Sequence, residues 1–260
     1  MKRIAFFNQA GGVGKTTILT HVAHALALKG KSVVVADCDP QANATTFLGV
    51  STSLTDTYRT LYDAVVGKPQ WEVPMATTEI ERLRLIPGSN QLAGVGVLLA
   101  TIGETPESFV GGFSAMLEKL EGSYDYLLLD CPPTQEIMTY AALSVADGVI
   151  CPVALEAKGV LGTRALIEAM TTIGGRLERD IKILGFVPSR YDRFSTIHRQ
   201  CLKAMQTELI GVAPVTNPVK DSYRILSAQA RSKTLYQTNP ADHNIGVFNE
   251  IADLLMGMEA

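Results

Sequence analysis

The sequence predicts an α/β fold: a mostly parallel sheet with helices on both faces, in one domain spanning residues 1–260. Three observations predict it. Short runs rich in Ile, Leu and Val recur along the chain, as expected of strands buried on both faces. Helical segments separate them, and that alternation implies parallel strands with helices covering the sheet. The chain also opens with an apolar run, 4–7, then a glycine-rich turn, Gly11-Gly12-Val13-Gly14, and a helical pattern from Lys15-Thr16.

Strands are expected at 2–7, 32–36, 83–86, 125–129, 148–152, 182–187 and 212–215. Helices are expected near 15–28, 91–101, 110–121, 137–145, 160–174, 195–208, 222–230 and 243–257. Ligands of such sheets bind at the carboxyl ends of the strands. The glycine turn, Asp39 and Asp130 all follow strand ends, so the fold can bring them together.

Composition narrows the classes. Of 260 residues, 47% are apolar, enough for a large core. No apolar run approaches the roughly 18 residues of a membrane span. The opening Met1-Lys2-Arg3-Ile4 enters a strand directly, so no signal peptide is expected. Four cysteines without C-x-x-C spacing read as reduced thiols of a cytosolic protein. The histidines show no metal-ligand spacing.

A strand, a glycine-rich turn and a helix beginning Lys-Thr make a phosphate cradle. Backbone N–H groups wrap the anion and the helix N-terminus adds a favourable dipole. Lys15 is expected to reach the β- and γ-phosphates, and the Thr16 hydroxyl to sit on Mg²⁺. The strict pattern G-x-x-x-x-G-K-[ST] fails, because position 9 is Gln. The deviant form K-G-G-x-G-K-[ST] of the ParA/MinD family fits everywhere except its first residue, here Ala10.

The resemblance covers nearly the whole chain. Val33-Val34-Val35-Ala36-Asp37-Cys38-Asp39-Pro40 through Thr45 resembles the family's second strand and first switch. Tyr124-Asp125-Tyr126-Leu127-Leu128-Leu129-Asp130-Cys131-Pro132-Pro133-Thr134 resembles its Walker B strand and second switch. The segment from Cys151 to Gly162 resembles the loop at the dimer face, and Leu235-Tyr236 with Asn239-Pro240 the stretch before the last helix.

That resemblance implies an ATPase using ATP and Mg²⁺, with the nucleotide held by Gly11, Gly12, Val13, Gly14, Lys15, Thr16 and Thr17. Thr17 resembles the residue that touches the α-phosphate. Asp39 resembles the carboxylate that orients the attacking water, and Asp130 the acid that holds magnesium through water. The metal set is thus Thr16, Asp39 and Asp130. Asp37 is equally a magnesium helper or a structural acceptor. Ser189 and Pro240 resemble positions near the base, and each is equally an ordinary turn residue.

In the family the first signature lysine crosses a dimer into the partner's nucleotide. Ala10 leaves two readings open: a lysine-to-alanine change in an ordinary member, or membership of a subgroup without that lysine. The carboxysome-distributing McdA branch departs from the signature here, and a later lysine is thought to replace it. Lys158 is the candidate catalytic substitute; a solvated surface lysine is the equal alternative.

Charge is uneven. Residues 182–233 carry nine basic side chains and three acids, hence +6 in a chain of net −3. Such asymmetry points to a phosphate backbone bound without reading of sequence. The leading residues are Arg190, Arg193, Arg199, Lys220, Arg224 and Arg231, and no aromatic interleaving suggests single-strand stacking. The last helix has acidic polar positions, which argues against a membrane; its Ile and Leu residues are expected to pack on the sheet.

Together these imply an ATP-dependent homodimer on double-stranded DNA, associated with the nucleoid in a prokaryotic cytoplasm. A cargo-linked partner protein would stimulate hydrolysis, with carboxysomes the first cargo and plasmid or chromosome partition the second. A non-hydrolysing, nucleotide-dependent DNA-binding module is the alternative of another class.

Overall fold

The computed structural model describes residues 1–50, 59–66 and 72–258, with the side chains of 157–161 outside that description. Among the described residues seven strands form one sheet: β1 (Lys2–Phe6), β2 (Val33–Asp37), β3 (Ala76–Thr77), β4 (Leu83–Ile86), β5 (Tyr126–Asp130), β6 (Gly148–Ala154) and β7 (Ile183–Ser189). Their order across the sheet is β3-β4-β2-β5-β1-β6-β7. All neighbours are parallel except β3 and β4.

The helices are α1 (Lys15–Leu28), α2 (Asn43–Phe47), α3 (Leu61–Val66), α4 (Val95–Ile102), α5 (Pro106–Glu118), α6 (Ile137–Val145), α7 (Ala157–Arg176), α8 (Thr196–Glu208), α9 (Tyr223–Gln229), α10 (Leu235–Thr238) and α11 (Asn244–Met256). Successive residues of β1 feed opposite cores, as a strand's period of two requires. Ala5 joins the side chains of α4 to α8, while Ile4 and Phe6 join those of α1, α9 and α11. From β1 the chain leaves over one face toward β2; from β5 it leaves over the other toward β6. Adjacent strands with divergent exits open a crevice at their carboxyl ends, and the site lies there.

Most expected elements form, with boundary shifts. The helix expected at 110–121 starts at Pro106, because Thr105 caps it by accepting the Ser108 N–H and proline is favoured at a first helical position. The strand expected at 212–215 does not form. Gly211 has a left-handed φ of 83° and Pro214 has no N–H to donate, so the segment makes only a bridge, Val215 to Phe186. The antiparallel β3 and the short α2, α3 and α10 had no pattern long enough to read. No described helix is long and apolar enough to cross a membrane. The last helix buries Val247, Phe248, Ile251, Ala252 and Leu255; Leu254 is only partly buried.

The packing of α1 on α11 fixes a buried histidine. His21 stacks on Phe248 with ring centroids 4.5 Å apart. Its Nε2 accepts the Leu235 N–H at 3.1 Å, so the proton sits on Nδ1, which donates to the Thr17 carbonyl at 2.7 Å. Burial pulls its pKa down to about 4. A histidine neutral when folded but free to charge when unfolded stabilises the fold fully above its ordinary pKa of 6.5 and loses that contribution as pH falls toward 4. The stability advantage of the native chain over a His21→Asn variant is therefore expected to shrink by about 2 kcal/mol between about pH 8 and pH 5, measured by urea unfolding at both pH values.

Candidate functional site

The glycine turn is pinned at its start. Asn8, just past β1, donates its amide to the Pro152 carbonyl at 2.6 Å and accepts the Ala10 N–H at 2.9 Å. Gly12 and Gly14 take left-handed φ of 72° and 87°, which glycine adopts without cost. A Cβ at Gly11 or Gly12 would meet no atom within 4 Å, so both face open space. Gly14 caps α1 without a side-chain bond, and the first turn carries no acid. The helix's leading N–H groups therefore remain available to an anion.

Lys15 folds back beneath this cradle. Its Nζ donates to the carbonyls of Asn8 and Ala10, each at 3.1 Å. Burial lowers its pKa, and the negative charges of Asp130 and then Asp39 oppose that shift. Thr16 turns the other way and donates to Asp130 Oδ2 at 2.7 Å.

The acids gather because β2 and β5 are paired in register, Asp37 opposite Asp130. Burial pushes Asp130 well above the carboxylate range and Asp37 adds to it; the Thr16 bond and Lys15 pull the other way. Burial likewise raises Asp37 to about 6, against the bonds from Thr45. Asp37 accepts the Thr45 N–H at 2.8 Å and its hydroxyl at 2.6 Å, and the Asp39 N–H at 3.3 Å. Both its oxygens thus serve as structural acceptors. Thr45 in turn accepts the Gly88 N–H at 2.9 Å, and a Cβ at Gly88 would lie 2.7 Å from the Asp37 carbonyl. Asp39 is also buried, with Oδ1 taken by the Gln41 N–H at 2.9 Å.

Beside the cradle lies a cleft of about 530 Å³, with Gly12, Gly14, Ser189, Lys220, Tyr223 and Gln229 in its walls. Ser189 donates to the Val13 carbonyl at 2.7 Å, so it secures the turn as well as lining the cleft. Pro240 does not line it; it is exposed in the turn before α11. The far wall is held by Asn244, fully buried at the start of α11. Its amide accepts the Lys220 N–H at 2.8 Å and donates to the Lys220 carbonyl at 3.2 Å.

Lys158 lies in the first turn of α7, and its side chain falls outside the described residues. The basic residues divide. Arg190, at a left-handed φ of 56°, lines the cleft and pairs with Glu156 at 3.2 Å. Lys220 lines the cleft too, half-buried. Arg193 covers the Phe194 ring at 4.6 Å, and Arg199 donates to the Arg193 carbonyl at 2.8 Å. Arg224 pairs with the buried Asp242 at 3.6 Å, and Arg231 is exposed. A bridge from Tyr191 to Lys220 sets the two basic segments side by side. Phe194 and Tyr223 stand 76% and 82% exposed among these residues, an aromatic presence the sequence reading did not anticipate.

The residues fit a nucleotide with a divalent cation. Asp130 Oδ1 is buried without a hydrogen-bond partner, and its other oxygen meets the Thr16 hydroxyl. Among the described residues no three acidic, Cys or His groups are placed to ligate a metal directly. Thr16 would hold such a cation and Asp130 would reach it through water. Asn8, Thr45, Gly88, Gln229 and Asn244 were missed as site residues. Asn8 and Thr45 lie inside motif segments, but only contacts reveal their roles.

A glycine cradle at an uncapped helix start, a lysine beneath it and a bond from the helix's Thr16 to Asp130 at the end of β5 define a P-loop nucleotide-binding protein. Comparison with known proteins makes this narrower. A family model described as an AAA domain matches residues 1–183. The chromosome-partitioning ATPase Soj of Thermus thermophilus is 30% identical over 257 residues, 98% of this chain and 96% of its own. The chromosome partitioning protein ParA of Caulobacter vibrioides is 32% identical over 203 residues, 78% of this chain and 74% of its own. The chain belongs to the ParA/Soj family of partitioning ATPases. In fold it is also similar to the ATP complex of Cyanothece McdA, with TM-score 0.82 and 21% identity over 100% of this chain and 98% of that one.

An Asp130→Asn substitution keeps an acceptor for Thr16 and removes a buried charge. It is expected to raise the melting temperature of the nucleotide-free protein while weakening the Mg²⁺-dependent part of ATP binding about tenfold, a loss of about 1.4 kcal/mol. Thermal melts and ATP titrations with and without Mg²⁺ check both halves.

Proposed function

We propose that this chain is an ATP-dependent dimerising ATPase that binds DNA without sequence preference and positions an intracellular cargo with a partner protein. The observation that carries the nucleotide chemistry is the Thr16–Asp130 pair, with one Asp130 oxygen unpartnered, beside the uncapped start of α1.

Phosphoryl transfer to water needs positioning and charge neutralisation more than covalent chemistry. The turn Gly11 to Gly14 and the first N–H groups of α1 cradle the phosphates. Lys15 exchanges the carbonyls of Asn8 and Ala10 for β- and γ-phosphate oxygens. Mg²⁺, when bound, supplies charge neutralisation on those oxygens. Thr16 and Asp130 hold its place, and Asp39 orients the attacking water. Ser189 faces the base-side cleft, and Pro240 has only the family resemblance to support it.

The cation supplied in trans distinguishes the cargo readings. Without the signature lysine at Ala10, Lys158 of each subunit serves the partner's nucleotide, as the McdA-like reading requires. That reading favours carboxysomes. The chromosome-partitioning relatives favour the second reading, a partition ATPase with an altered signature residue. Under the first, Lys158→Ala is expected to reduce DNA-stimulated ATP hydrolysis by about 10³-fold or more, the scale of a lost charge-stabilising cation. Under the second, the native chain is nearly inert and Ala10→Lys revives it. Phosphate release by the three proteins separates the readings. ATP and DNA binding without hydrolysis in any of them would support the non-hydrolysing module instead.

The DNA surface has its own check. Arg231 is exposed, whereas removing Arg224 would strand the buried Asp242. Arg231→Ala is expected to lower the slope of log affinity against log salt by about one, equally for unrelated duplexes. Binding titrations at several salt concentrations measure it.

A further inference from the structure

We propose that Gln229, at the end of α9, is a positioning residue that aims the Thr17 hydroxyl proton at the nucleotide. The proposal rests on the nucleotide reading of the cradle and names a part of its machinery that lies far away in sequence.

Gln229 is 8% exposed and its Nε2 donates to Thr17 Oγ1 at 2.8 Å. Both residues line the cleft beside Gly12 and Gly14. A threonine hydroxyl has one proton to give and two lone pairs to receive. When an amide N–H occupies a lone pair, the hydroxyl proton is left for another acceptor. Without that donor, a hydroxyl near the start of a helix turns to the carbonyl four residues back. For Thr17 that carbonyl is Val13's, and it already accepts from Ser189 Oγ at 2.7 Å. The bond from α9 thus takes one lone pair of the Thr17 oxygen, and the bond from β7 takes one lone pair of the local competitor. The Thr17 proton is left to the cleft side, where an anion over the glycine turn would accept it.

Two further bonds fix the segment that follows Gln229 against the same helix. The Leu235 N–H meets His21 Nε2 at 3.1 Å, and Thr234 Oγ1 lies 2.7 Å from His24 Nδ1. The segment that carries Gln229 is therefore held by contacts that do not involve the Thr17 hydroxyl, which is what a positioning residue requires.

The test is a double-mutant cycle on ATP·Mg²⁺ affinity, read with a fluorescent ATP analogue and accompanied by melts of the nucleotide-free proteins. Gln229→Glu keeps the shape but turns the donor into an acceptor, which captures the Thr17 proton. Gln229→Met keeps the length and removes the polarity. With Thr17 present, Gln229→Glu is expected to weaken binding about tenfold or more, the worth of one hydrogen bond to a charged group. Gln229→Met is expected to weaken it about threefold. In a Thr17→Val background the Gln229→Met effect is expected to vanish and the Gln229→Glu effect to shrink to the part due to its added charge, because the hydroxyl that Gln229 orients is gone. Equal losses with Thr17 present and in the Thr17→Val background would overturn the proposal, since they would mark general electrostatics or packing. A native chain that binds no ATP·Mg²⁺ would overturn it as well, and that outcome alone would also sink the nucleotide reading. Should Gln229→Glu melt early, Gln229→Met carries the same cycle.

Discussion

The hydrogen bond from Thr16 to Asp130 joins the first helix of the chain to the strand beside β1, and the site's arrangement depends on it. It can form only because β1 and β5 pair with Phe6 opposite Asp130. A slip of one residue would turn Asp130 to the other face of the sheet. The same register line continues into β2, where Asp37 sits opposite Asp130. One set of parallel pairings therefore fixes the start of α1 and the acids that face it.

Those acids are assembled against their own repulsion. Asp37 and Asp130 are fully buried, Asp39 nearly so, and Lys15 opposes the charges of Asp130 and Asp39. In a site meant only for stability, such charges would be replaced by apolar or neutral groups. Here hydrogen bonds from Thr16, Thr45 and the Asp39 backbone restrain them in place. The remaining imbalance suits a cation that arrives with its ligand. Local rules are commonly broken at functional positions, and this cluster breaks them.

Much of this was legible beforehand. The buried strands read as short apolar runs because both faces of a parallel sheet are covered, and the cradle read as a motif because glycine, lysine and threonine are needed at fixed offsets. Asp39 and Asp130 were visible because each follows such a run. What stayed hidden has no local period. Asn244 and Gln229 act across long separations, and nothing in their neighbours distinguishes them from ordinary helix residues. The segment 212–215 read as a strand from its apolar character, yet Pro214 limits it to one bridge. Phe194 and Tyr223 lie in a charged stretch, where composition gives no sign that both remain uncovered.

The Asn244 side chain has a consequence for how the molecule is made. Its amide stands in for a neighbouring strand, receiving and returning the peptide hydrogen bonds of Lys220. One wall of the cleft beside the cradle is thus closed by a residue that the ribosome delivers long after the cradle. β1 must also wait for β5 and β6, since its partners lie far downstream. Long-range closure of this kind is slow and leaves apolar surface open in the meantime. A chain made only as far as β7 would carry the phosphate motif without the cleft wall that α9 and Asn244 complete.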